Sequence, residues 1–303
     1  MIMRPGWASS AVVFALLSTI TAAAASACVK IAAEEIPIGQ IVFFRGFFAL
    51  PVLLIFARLD GPLRTSLVVK SPLCHVQRAF IGCAGLTCFY LSISLLPLSL
   101  AVAVSYLVPT FVTLVEVWRA KWSSGLSLIV AAIVGLGGVL LFLGQSIVIE
   151  TFDSRLLAGF ACGVIGAALT SSALIRVRAL TKTDTPGAIA FYFSVACATT
   201  GLLTASLGWS PFDARVAVAL AGCGIFSAVS HMTLTMALAR ASPAKVAPFD
   251  YLILVWTFGY EVFVFHRSLT VFEVMGIVGV IASLQVTRVV RFARSKSLKH
   301  PAS

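Results

Sequence analysis

Charge is what this sequence has least of. Only 11% of its 303 residues are Asp, Glu, Lys or Arg, against about 25% in an ordinary soluble domain. Acids are the scarcer half, 11 beside 22 Lys and Arg. No stretch is long and polar enough for a separate soluble domain. GxxxxGK[ST], GxGxxG after a strand, HExxH, and GxSxG with a plausible partner set are also missing. Their absence argues against nucleotide hydrolysis within this chain, so energy for any work must come from a gradient or from a solute. None of the seven cysteines forms a CxxC pair, and most lie inside apolar runs. They read as small buried hydrophobes rather than disulfides or metal ligands.

What is present is apolar: 60% hydrophobic residues and a mean hydropathy of +1.04. The class is an all-α, polytopic membrane protein. A net charge of +11 invites a nucleic-acid reading. The basic residues, however, sit in short gaps between apolar runs, as in membrane loops, so no nucleic-acid partner is expected.

Ten apolar segments can be marked: roughly 9–29, 36–57, 79–95, 98–117, 122–144, 156–175, 187–209, 216–238, 246–265 and 270–290. Arg4 and the Ala-rich run ending at Cys28 imitate a secretory signal, but the run is long enough to span and is read as the first helix. Placing the N-terminus in the cytoplasm and alternating puts Arg4, Arg58, Arg64, Lys70, Arg78, Arg119, Lys121, Arg176, Arg178, Lys182, Arg240, Lys245, Arg288, Arg291, Arg294, Lys296 and Lys299 inside. Only Lys30, Arg155, Arg215 and Arg267 fall outside. That bias predicts both termini in the cytoplasm.

The polar break 145–155 divides the segments into five and five. Ile133-Val134-Gly135 recurs as Ile277-Val278-Gly279, Val102-Ala103 as Val246-Ala247, and Phe43-Phe44 is echoed by Phe191-Tyr192. An odd number of spans per half makes the halves opposite in orientation, an inverted repeat with a solute site near mid-membrane. The expected domains are repeats over 9–144 and 156–290 and a basic tail over 291–303.

Arg45 stands near the middle of the second segment between two Phe pairs. Guanidinium cannot shed its proton, and mid-membrane charge normally faces a bundle interior or wet cavity. Arg45 either holds an anionic group of a solute or locks its span in an ion pair. Asp250 and Glu261 share a helical face about 16 Å apart. Either could neutralise Arg45 or take a coupling proton, and Glu261 could instead reach the headgroups. Pro248 loosens the helix beside Asp250 and Tyr251. His231 sits mid-span among Ser230, Thr233 and Thr235, as a relay, a solute contact or an interhelical hydrogen bond. No second His or Cys stands at ligand spacing, so neither a metal nor a cofactor is expected. Tyr90, Tyr106, Tyr192, Tyr251 and Trp256 could stack on a flat solute or pack against helices and lipid. Glu116, Trp118, Trp122 and Trp209 read as interfacial. Pro51 and Pro109 are expected to break or bend their spans.

Phe43-Phe44-Arg45, the passage Tyr90–Pro109 and Ala247-Pro248-Phe249-Asp250-Tyr251 resemble the EamA branch of the drug/metabolite transporter superfamily. The resemblance covers about residues 9–290. It implies ten helices as five plus five, a bacterial inner-membrane location and solute transport, with subgroups that carry S-adenosylmethionine, riboflavin, amino acids or other metabolites. Where the family closes its fourth and ninth spans with Gly-Glu, this chain has Arg119-Ala120-Lys121 and His266-Arg267. The expectation is therefore a non-enzymatic secondary carrier for a small organic metabolite, working among lipids and with room for a homodimer. Arg45 and Asp250/Tyr251 would line or gate its site. An exporter of amino acids or toxic cations would lean on Asp250 and Glu261 instead. A membrane enzyme or lipid-handling protein would need a cluster of reactive groups at one depth.

Overall fold

The structure, a computed structural model, describes residues 6–59, 61–108, 111, 115, 154–180, 183–240, 252–266, 271, 275 and 278. The described residues form helices and turns, with no strand among them. In chain order the helices are α1 (Gly6–Ala32), α2 (Ile38–Leu59), the single turn α3 (Leu63–Ser66), α4 (Pro72–Leu95), α5 (Leu98–Ser105), α6 (Ser154–Leu180), α7 (Pro186–Leu203), α8 (Ala214–Arg240) and α9 (Leu252–Phe263). A 3₁₀ turn, Thr204–Leu207, extends α7. Among the described residues six helices are long and apolar enough to cross a membrane: α1, α2, α4, α6, α7 with its extension, and α8. The segment expected at 122–144 lies outside the described residues. So do most of 270–290, the end of 98–117 apart from 111 and 115, the start of 246–265, and Pro109, Glu116, Trp118 and Trp122.

Local chemistry explains the boundaries. α7 opens with Pro186 at its first position, and the Thr185 hydroxyl accepts the Ala188 N–H at 3.2 Å. α4 likewise opens with Pro72 behind Ser71. It starts a full turn and more before the expected position 79, so Arg78 is a helical residue and not a loop residue. α2 runs through Pro51 without breaking; flanking turns and packed neighbours hold the helix where one backbone bond is lost.

Helices from the two halves of the chain pack on each other: α1 on α8, α4 on α6, α2 on α7 and α8, and α9 on α1 and α5. The tightest crossing is α2 with α7, where two glycines remove the side chains that would keep the backbones apart. A Cβ on Gly46 would meet the backbone of Ala198 and Ser194, three and seven residues before Gly201. A Cβ on Gly201 would meet the backbone of Phe43 and Gly39, three and seven residues before Gly46.

Both ends of the bundle are tied by polar contacts. At one end Gln40 and Ser210 exchange two hydrogen bonds of 3.0 and 3.1 Å. There the chain also turns sharply from α4 into α5. Lys30 donates to the carbonyls of Ile93 (2.8 Å) in the last turn of α4 and of Leu96 (2.7 Å), which follows it. Glu261 accepts the Ser99 N–H at the start of α5 (3.2 Å). Each charge meets the helix end of opposite sign. At the other end buried Asp184 accepts the Lys70 N–H (2.9 Å) and pairs with His75 (2.8 Å). Thr185 and Tyr192 donate to Ser66 and Leu67 there.

Candidate solute site

Arg45 lies on α2 one residue before the Gly46 crossing and is 4% exposed. Its Nη2 is 3.3 Å from Nε2 of His231 on α8, and its Nη1 donates to the Cys197 thiol of α7 at 3.7 Å. Guanidinium can only donate, so the imidazole Nε2 must accept, which makes His231 neutral with its proton on Nδ1. The Phe193 ring of α7 sits 5.5 Å from the guanidinium carbon. Arg45 Nε is sealed from solvent without a hydrogen-bond partner. Around this core, Cys83 and Cys197 approach to 3.6 Å, and the Tyr90 hydroxyl meets Cys223 at 3.6 Å.

Among the described residues the side chains bonded to Arg45, a thiol and an imidazole, are therefore neutral. Among the described residues no carboxylate lies within ion-pair distance of it; the ion pair found there is His75–Asp184. A buried cation without a counter-ion is costly, and the cost fits a site that an anion completes. His231, by contrast, is exposed.

The structure brings Arg45 together with His231 and Tyr90 but takes Glu261 elsewhere. Glu261 is 2% exposed and caps α5 instead of meeting Arg45. Trp256 donates to Thr19 of α1 at 3.2 Å, and Tyr106 packs on the core beyond the end of α5. Trp209 lies against Phe43 and Phe44 and donates to Thr204. Asp250 and Tyr251 lie outside the described residues. Residue pattern missed three features. Phe193 and the thiols of Cys83, Cys197 and Cys223 look like ordinary apolar filling in sequence. Arg78 looks like a loop charge, although the Ser71-Pro72 helix start was a legible signal that it belongs to a span.

Comparison with known proteins places this geometry. Residues 9–144 match the EamA-like transporter family. This part of the chain is an EamA-like transporter domain. The pseudopaline exporter of Pseudomonas aeruginosa is 27% identical over 259 residues, covering 83% of this chain and 86% of that protein. The S-adenosylmethionine uptake transporter of Rickettsia felis is 25% identical over 243 residues, 79% of each chain. A protein of known crystal structure shares the fold, with a TM-score of 0.68 over 93% of this chain and 97% of that one at 15% identity. The six long apolar helices and the match over residues 9–144 make the chain a multi-pass membrane protein similar to EamA-like transporters. Among its described residues no group of three His, Cys, Asp or Glu could hold a metal.

Proposed function

We propose that this EamA-type protein is a secondary carrier of a small organic metabolite, vitamin-like or derived from a nucleoside or amino acid, across the bacterial cytoplasmic membrane. It works by alternating access between two oppositely oriented five-helix repeats, with both termini in the cytoplasm. One observation carries the reading: a buried arginine, bonded among the described residues by neutral groups, where helices of the two halves cross. Arg45 anchors the solute, His231 borders its entry, and Tyr90 closes the wall; Asp250 and Tyr251 complete the site from the ninth span.

The packing supports the two-repeat arrangement. α1 on α8 and α4 on α6 are equivalent pairs if the sixth span repeats the first and the eighth the third. The α2–α7 crossing is equivalent to itself, and its reciprocal glycines make the same contacts in both directions. Relatives named for export and for uptake match at similar identity, which fits a site reached in turn from both sides. A cation exporter is the rival. The described site opposes it, because a cation would meet Arg45 without a described acid to offset the repulsion.

The test is counterflow in proteoliposomes with labelled S-adenosylmethionine, riboflavin and a mixture of amino acids. Wild type should exchange at least one of them, and Arg45→Gln at equal incorporation should slow that exchange about tenfold or more. Equal exchange by Arg45→Gln would remove Arg45 from the mechanism, and no exchange of any solute class would sink the carrier reading.

A further inference from the structure

We propose that Arg78 is the second half of an anion site and that the solute is a small organic acid with two negatively charged groups, one held by Arg45 and the other by Arg78 across the Phe193 ring. This rests on the carrier reading and narrows its substrate class.

Arg78 lies in the second turn of α4, near a helix end. A long cationic side chain there ordinarily reaches outward to water and headgroups. This one runs inward. Its Nη1 lies 3.4 Å from where a Cβ of Gly82 would stand, one turn deeper into the helix. Its guanidinium carbon lies 3.6 Å from the Phe193 ring centroid. Gly82 makes the position available, since a Cβ there would also come within 3.0 Å of that ring.

The two arginines thus share one aromatic ring. Like charges so placed repel, and one ring's quadrupole offsets that only in part. Nε and Nη1 of Arg78 are sealed from solvent without hydrogen-bond partners, as is Nε of Arg45. Among the described residues no carboxylate pairs with either. Three charged donor atoms are therefore held dry and unused, pointing to a ligand that brings acceptors. A monoanion would neutralise one guanidinium and leave the other unmatched. Two carboxylates, or a carboxylate and a phosphate, would satisfy both forks. Arg45, Arg78 and Phe193 come from α2, α4 and α7. A bridging dianion would draw these three helices together, so occupancy itself would favour one state of the carrier.

The competing explanation is that Arg78 is a structural clamp on Phe193. Purified full-length protein in nanodiscs separates the two by thermal shift. Succinate and citrate should raise the midpoint at concentrations about tenfold lower than propionate does, and choline should not raise it. Arg78→Gln should abolish the gap between succinate and propionate while keeping the propionate response. Arg78→Lys keeps the charge without the fork and should narrow the gap severalfold; it decides the matter if the Gln variant does not fold. The proposal is overturned if wild type responds to succinate no better than to propionate, if choline stabilises it more than succinate, if the gap survives in Arg78→Gln, or if it is undiminished in Arg78→Lys. Liposome flux separates this from the carrier reading. Succinate that binds but never crosses would overturn the carrier and keep the anion site. Solute movement without preference for dianions would overturn the anion site and keep the carrier.

Discussion

Two regions of this protein bury charge by opposite means. At the α4–α5 corner the charges are matched by the backbone: Lys30 sits on the closing carbonyls of α4, and Glu261 on an opening N–H of α5. These groups would be orphans of two helix ends, and the charges satisfy them. At the centre, Arg45 and Arg78 have thiol, imidazole and ring contacts, and three of their nitrogens are buried without a hydrogen-bond partner among the described residues. At the corner each charge bonds a backbone group at a helix end, whereas at the centre the two guanidiniums meet only side chains among the described residues. The contrast teaches that a membrane-buried charge can serve as a structural rivet or as a binding site, and that its local partners tell which.

That contrast is open to direct attack through stability. Removing the corner cation should do the most damage. Lys30→Met strands two carbonyls that accept from a charge, and should cost about 3 kcal/mol in reversible unfolding. Arg45→Gln, made for the flux test, should stay within about 1 kcal/mol of wild type or exceed it, because it deletes an uncompensated charge. If the central variant were the more damaging, the distinction would be lost.

A smaller, pH-dependent effect is expected at the opposite end of the bundle. Burial works against the charged form of Asp184, but the Lys70 N–H, the His75 ring and Thr183 together outweigh it and hold its carboxyl below its ordinary value. A depressed pKa gives stability that is fully present above the unfolded value, about 3.9. It is lost as pH falls through the lower folded value. Asp184→Asn should therefore lower the thermal midpoint at pH 7, with the deficit to wild type shrinking below about pH 4. A deficit independent of pH would mean that the carboxylate's charge is not what ties α3–α4 to α7.

The smallest effect is expected just after α9. His266 adopts a φ of +50°, the left-handed conformation that ends many helices and costs a side-chain-bearing residue about 1 kcal/mol. His266→Gly should raise stability by about 1 kcal/mol or less, seen as a small rise in the thermal midpoint. A fall would show that the imidazole contributes more than the backbone loses.

Much of the architecture was legible because a bilayer imposes simple rules. Spans of about 20 apolar residues stand out, and the described spanning helices fall on the expected segments. Their ends were less legible, since Ser71-Pro72 starts α4 among residues that look like loop. At the site, Arg45 stood out because one permanent charge in an apolar run is conspicuous. Its partners did not. A cysteine, a phenylalanine or a tyrosine in a membrane helix is ordinary until a distant helix brings it beside a guanidinium. Glu261 shows the reverse: a conspicuous acid that the fold spends on a helix end.

The sequence alone determined that this chain resides in the membrane and carries a permanent charge within it, because hydropathy and guanidinium chemistry depend only on residue type. Which charges are matched and which are left open was decided by tertiary structure. Helices more than a hundred residues apart in the chain had to cross before Cys197, Phe193 and His231 could meet Arg45, and no local pattern encodes that meeting.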